Sequence, residues 1–240
     1  MHVIVLATQK GGSGKSTLAI GLAIAAMDDG QRVGLIEADP QGTISNWGKR
    51  RNNAKPHIKR VDSSITIDRA ILHLGREGFT LAIIDTAATV NVLSGSAIGS
   101  ADLCLIPARP SPADIEAALP TLGTVRKLNK RFAFVLNQTP ARSNRASEAA
   151  TALHAAGALA LPYIVQRNDH QDALGVGLGV TEYDPHGRAA EEIRSLWRWG
   201  WTKLTTETLG HEPNATGQVA RSVSLLRPQA QEIQTEFKVR

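Results

Sequence analysis

The sequence predicts an α/β fold: a doubly wound, mostly parallel sheet with helices on both faces. Three observations carry the prediction. Short, continuous apolar runs recur along the chain, at "VIVLAT", "RVGLIEAD", "TLAIIDTAA", "ADLCLIPA", "FAFVLNQT" and "LALPYIV", and uninterrupted apolar strands are those buried on both faces, as in parallel sheets. Helical patterns fill the intervals between these runs. The first run leads directly into a glycine-rich turn, "QKGGSGKST", and then into the apolar helical stretch "LAIGLAIAAM".

In chain order, the first strand covers residues 3–8, and the glycines after it let the backbone curl with its N–H groups turned inward. The first helix is expected over residues 15–29, with Gly30 as its left-handed terminator. The second strand closes on Asp39 and the third on Asp85, both at carboxyl ends, where open α/β sheets bind ligands. Later helices fit residues 91–100, 113–128, 144–157 and 187–204, and "LALPYIV" at residues 159–165 supplies the sixth strand. Beyond Leu209 the chain turns polar, with Gly210, Pro213, Asn214 and Gly217. The expected division is a domain at residues 1–209 and a polar tail or appended helix at residues 210–240.

Composition sets limits. A chain of 240 residues with 42% hydrophobic and 20% charged residues can bury one sizeable core. The lone cysteine, Cys104, lies inside the apolar run "LCLIP", so a disulfide framework, a zinc cluster or a thiolate-held iron–sulfur site cannot be built within the chain. Lys and Arg number 27 against 22 Asp and Glu, a net charge of +5, which suits a polyanionic partner without identifying one. The longest apolar stretch, residues 18–27, is too short to span a bilayer, and "MHVIVLAT" has no charged leader. A cytoplasmic location without stable membrane insertion is expected.

The glycine-rich turn is chemically specific. Curled glycines and a helix starting at Lys15 aim several N–H groups at one point, an anion nest whose natural guest is a polyphosphate. Lys15 reaches the β- and γ-phosphates, and the Ser16 hydroxyl holds Mg²⁺, as in a P-loop. The usual spacing G-x-x-x-x-G-K-[ST] is not met, because Gln9 stands where the first glycine belongs. Lys10 is then a second cation at the start of the loop, beyond what one bound triphosphate needs. Its position points to another subunit's nucleotide.

Residues 10–17, K-G-G-S-G-K-S-T, resemble the deviant Walker loop of the ParA/MinD ATPases at every fixed position. The resemblance implies that Lys10, Gly11, Gly12, Ser13, Gly14, Lys15, Ser16 and Thr17 bind ATP, with Lys10 crossing a dimer interface to the partner's phosphates. "LIEADPQGT" resembles the family's D-x-D-P-Q-G motif with Glu37 in place of the first aspartate. Asp39 then positions or activates the attacking water. Asp85 takes the Walker B role of orienting Mg²⁺ with Ser16, while Ala87 and Ala88 replace frequent prolines and leave the following switch loop less stiff. Asn137 matches a position that contacts adenine in relatives; the alternative is a strand-end Asn bonding its own turn. "LIPARPSPADIEAAL" and "EYDPHGRAAEEI" resemble segments of the small plasmid-type ParA proteins, which lack an N-terminal DNA-reading extension, and none is expected here.

That resemblance implies an ATP-dependent DNA partition or positioning ATPase: a homodimer closed by ATP, nonspecific binding to nucleoid DNA, and release when a ParB-like adaptor stimulates hydrolysis. Arg167, near where relatives place a DNA-contacting arginine, is the first candidate contact, followed by Arg194 and Arg198 on one helical face. Two basic runs, residues 49–60 and 126–145, each hold six Lys or Arg and no acid, and read more readily as solvated surface than as a DNA contact. Two other functions stand beside this one. A MinD-like membrane ATPase needs an amphipathic C-terminal helix, for which Leu226, Ile233 and Phe237 have the spacing but Pro228 intervenes. An ATP-dependent metabolic ligase needs a carboxylate-substrate pocket, for which no residues stand out.

Overall fold

The computed structural model describes residues 1–206 apart from 90 and 143. The expected tail at residues 210–240, with Leu226, Ile233 and Phe237, lies outside the described residues. Six strands form one sheet, in the order β3-β2-β4-β1-β5-β6, and every pairing is parallel. They are β1 (His2–Leu6), β2 (Val33–Ala38), β3 (His57–Arg60), β4 (Leu81–Thr86), β5 (Leu103–Ala108) and β6 (Phe132–Leu136). The helices are α1 (Lys15–Asp28), α2 (Thr43–Arg50), α3 (Ser64–Arg76), α4 (Val92–Gly99), α5 (Pro112–Lys127), α6 (Asn144–Ala156), α7 (Asp169–Gly175), α8 (Val180–Tyr183) and α9 (Arg188–Thr205).

Alternate strand residues feed two cores, one on each face. Val5, Ile36, Ile84, Ile106 and Phe134 pack with α3, α4, α5 and α6, whereas Ile4, Leu35, Ile83, Leu105 and Val135 pack with α1, α2, α7, α8 and α9. The strands β2, β4 and β5 are buried at every position, which is why they read as continuous apolar runs rather than alternating ones. The first helix ends one residue before the expected limit, at Asp28, and the Gly30 φ of 81° supplies the left-handed turn.

One expected strand is absent. The run "LALPYIV" forms only isolated bridges, Phe134 with Leu159 and Thr139 with Val165. Pro162 interrupts it and removes a donor, so it runs beside β6 as a strip held by Ala160 N–H to the Phe134 carbonyl and Ile164 N–H to the Leu136 carbonyl. Arg167 therefore follows a loop, not a strand. Conversely, β3 lay unseen in the basic run at residues 49–60: it is an edge strand with a single half-buried hydrophobe, Ile58, too little for a pattern. Helix α3 had a legible signal in the Ser63 cap, whose side chain accepts from Thr66 N–H, and in buried Ile67, Ala70 and Leu74 at helical spacing.

Candidate nucleotide site

The site lies at the carboxyl ends of the strands, where β1 runs out at Leu6 and the chain turns into α1. Gly12 and Gly14 hold φ of 72° and 89°, a region that L side chains enter only under strain. Gly14 has a second reason to be glycine, since a Cβ there would fall 2.3 Å from Asn137 Nδ2. As the residue before α1 it also offers no side chain to cap the first-turn amides, which leaves those N–H groups for an anion. Ser13 is fully buried and its hydroxyl has no partner among the described residues.

The end of β6 braces this loop from behind. Asn137 donates through Nδ2 to the Ser13 carbonyl at 2.7 Å, and Gln138 through Nε2 to the Gly12 carbonyl at 2.9 Å. Asn137 is only 4% exposed, so its amide nitrogen is spent on the P-loop rather than on its own turn. Gln138, with φ of 53°, was not picked out from the sequence. The polar ending "NQT" after an apolar strand was the available signal.

Lys15 is buried and its Nζ donates to the Lys10 carbonyl at 3.3 Å. Burial lowers its pKa, while the charges of Asp85 and Asp39 oppose that change. An arriving polyphosphate adds negative charge at the same point and favours the ammonium further. Lys10 is half-buried, and among the described residues its ammonium enters no hydrogen bond or ion pair. The two lysines thus differ in surroundings: one is turned into the loop, the other is left over.

Asp85 is fully buried and accepts from the Ser16 hydroxyl at 2.6 Å. Burial pushes its pKa up to about 7 against the pull of the Ser16 hydrogen bond and Lys15, with Asp39 and Glu37 adding repulsion. Its other oxygen, Oδ1, is buried without a partner among the described residues. An unpartnered carboxylate oxygen beside a hydroxyl, short of positive charge, fits a hard divalent cation with oxygen ligands. Asp39 sits in the turn after β2, where its carboxylate accepts from Gln41 N–H at 2.9 Å. The fold therefore gathers Lys15, Ser16, Asp39 and Asp85 from three separate parts of the chain.

The candidate DNA contacts cluster elsewhere, around α9. Arg167 pairs with Glu192 at 2.6 Å, and the second oxygen of Glu192 takes Val165 N–H. Arg194 donates to the Pro185 carbonyl and the exposed Arg198 pairs with Glu191 at 2.6 Å. Trp197 is 2% exposed with Nε1 on Asp29, a core residue rather than a stacking platform. Several cations of the basic runs are also tied inward: Arg51 to Glu182, Arg50 to the Leu174 carbonyl, Arg126 to the Ala156 carbonyl.

A family model described as VirC1 protein matches residues 1–152. The chain belongs to the VirC1 family, among the ParA/MinD ATPases. It is 29% identical over 204 residues to the maintenance of carboxysome distribution protein A of Halothiobacillus neapolitanus, covering 80% of this chain and 93% of that one. Over 136 residues it is 32% identical to protein virC1 of Rhizobium radiobacter, covering 53% and 58% of the two chains. Its fold is shared with the cell division ATPase MinD of Pyrococcus furiosus, at 17% identity and a TM-score of 0.65 over 84% of this chain and 98% of that one. This VirC1-family ATPase also shares its fold with MinD of Pyrococcus horikoshii OT3, a structure complexed with Mg-ADP, at 16% identity and a TM-score of 0.61 over 82% of this chain and 94% of that one. Its class is that of the partition and positioning ATPases.

Proposed function

We propose that this ATPase works as an ATP-closed sandwich dimer that holds DNA without regard to sequence and lets go when a ParB-like adaptor stimulates hydrolysis. The observation that carries the reading is the pair of lysines in one loop. Lys15 is buried against its own loop, whereas the Lys10 ammonium has no partner among the described residues, as suits a cation that serves the facing subunit.

Within one site, the loop amides and Lys15 bind the phosphates, Ser16 and Asp85 hold Mg²⁺, and Asp39 orients the attacking water. Mg²⁺ supplies neutralisation of charge on the phosphate oxygens. Asn137 and Gln138 keep the loop in shape for any nucleotide, and the adenine role of Asn137 rests on its remaining carbonyl oxygen. Arg167, Arg194 and Arg198 are the proposed DNA contacts, near the nucleoid in the cytoplasm. The metabolic alternative has only the shared scaffold behind it, and the membrane alternative turns on a C-terminal segment outside the described residues; among the described residues no helix is long and apolar enough to cross a membrane.

Fluorescence anisotropy with two unrelated labelled duplexes, with and without ATP and Mg²⁺, tests the reading. Equal binding to both duplexes, present only with ATP, is expected. Binding to one duplex alone, or binding indifferent to ATP, overturns it.

A further inference from the structure

We propose that Glu37 and Arg60 are positioning residues for hydrolysis: between them they fix the turn that carries Asp39. The proposal rests on the reading of Asp39 as the water-orienting carboxylate. Helix α2 begins at Thr43, and the residue before it, Gly42, has a left-handed φ of 72° and no side chain with which to cap the helix. A helix start needs acceptors for its first amides, and a carboxylate is favoured there by the helix dipole as well.

Glu37 supplies what Gly42 cannot. From the last turn-side positions of β2, wholly buried, it accepts Ile44 N–H at 2.7 Å and Ser45 N–H at 3.2 Å through Oε1, and the Ser45 hydroxyl through Oε2. The end of the strand and the start of the helix are thereby tied together across the turn at residues 39–42. Arg60 holds that turn from the other side. It is the register partner of Glu37 on β3, and its Nη2 donates to the Pro40 carbonyl at 2.8 Å.

Asp39 takes its direction from this turn, because its own carboxylate is bonded to Gln41 N–H within it. A shift of about 1 Å in a reacting group can cost roughly 100-fold in rate. The clamp's hydrogen bonds act on the Asp39 turn and not on the P-loop, whose supports are Asn137 and Gln138, and the Glu37 charge is the smallest of the influences on Asp85. Disturbing it separates turnover from nucleotide binding, and a role confined to folding does not do that.

Steady-state ATPase assays and calorimetric ATP titration on the full chain, with Glu37→Gln, Glu37→Asp, Arg60→Ala and Arg60→Lys, test the clamp. Glu37→Gln sets an amide donor where an acceptor faced Ser45, and kcat is expected to fall about 10-fold or more, with KM and ATP affinity within about twofold of wild type. Arg60→Ala lowers kcat by about threefold, by the same reasoning, and Arg60→Lys and Glu37→Asp, which keep the charge, recover part of each loss. Arg60 is exposed on an edge strand, so its variants remain readable even where a change at buried Glu37 prevents folding. Wild-type kcat in Arg60→Ala, or a loss expressed in KM alone, overturns the proposal. Slow turnover in Asp39→Ala beside normal turnover in the clamp variants sinks the clamp and spares the reading of Asp39; normal turnover in Asp39→Ala removes both.

Discussion

At the scale of single residues, the proposed function divides binding from chemistry between Lys15 and Asp39. The Lys15 ammonium is buried where the loop amides converge, 3.3 Å from a carbonyl of the same loop, so its loss leaves the phosphates short of a charge that nothing else in the loop replaces. Lys15→Ala is expected to weaken ATP binding by about 3 kcal/mol, roughly 100-fold, the worth of a hydrogen bond to a charged group. Calorimetric titration measures this directly, and wild-type affinity contradicts the assignment. Among the described residues the Asp39 side chain is hydrogen-bonded only within its own turn. Asp39→Ala is therefore expected to bind ATP normally while turnover drops by about 100-fold, the usual contribution of a group that handles the reacting water. A phosphate-release assay at saturating ATP checks it.

At the scale of elements, the end of α2 is locked to the α7–α8 connection. Trp47 donates through Nε1 to the Leu178 carbonyl, Arg51 forms two bonds to Glu182 and one to the Gly177 carbonyl, and Arg50 reaches the Leu174 carbonyl. Gly177, at φ of 76°, lies so close that a Cβ would fall 2.5 Å from the Arg50 carbonyl carbon. Gly177→Ala is expected to destabilise by about 2 kcal/mol, because strain and a clash with backbone add; the urea midpoint reports it.

Arg51 is nearly inaccessible, with 2% of its side chain exposed. Glu182→Gln, which strands that charge, is expected to cost about 3 kcal/mol. Burial raises the Glu182 pKa, but the Arg51 hydrogen bonds, the Gly179 N–H and the Arg51 charge outweigh it and hold the carboxyl below its ordinary value. The stabilisation is therefore complete above the ordinary carboxylate pKa and is lost as the pH falls from there through the lowered folded value. Urea midpoints of wild type and Glu182→Gln are expected to converge over that acidic window and to stay parallel at neutral pH.

At the scale of the whole molecule, the proposed dimer rests on Lys10, a charge with no partner among the described residues, whereas the proposed DNA contacts are each already bonded within the chain. If Lys10 serves the facing subunit, Lys10→Ala keeps monomeric ATP binding, since the Lys15 nest is intact, and loses the ATP-induced dimer together with hydrolysis. Light scattering with ATP and Mg²⁺ measures the dimer, and a Lys10→Ala protein that still dimerises contradicts the reading. Mixing Lys10→Ala with Asp39→Ala restores part of the activity, because one site of that heterodimer keeps Asp39 and receives neither defect. For DNA, the exposed Arg198 is expected to contribute about 0.9 to the slope of log affinity against log salt. Arg198→Ala lowers the slope by that amount without changing stability, whereas Arg167→Ala also lowers the melting temperature, because it breaks a half-buried pair with Glu192.

The sequence by itself determined the α/β class, the strands β1, β2, β4, β5 and β6, and the glycine-rich turn that opens into α1. Doubly buried strands must be apolar throughout, and a phosphate nest must be glycine, lysine and hydroxyl in a fixed short order; both are local requirements written in consecutive letters. Tertiary structure decided what depends on distance along the chain. It showed that "LALPYIV" is not a strand, since Pro162 removes a donor the ladder would need, and that the basic run at residues 49–60 contains an edge strand and one buried cation, Arg51, among exposed ones. Asn137, Gln138, Glu37 and Arg60 acquire their roles only through partners 124, 126, 7 and 20 residues away. A hydrogen-bonding side chain carries no mark of its partner in the sequence, because its geometry exists only after the sheet has brought the ends of β2, β3 and β6 beside the loops they hold.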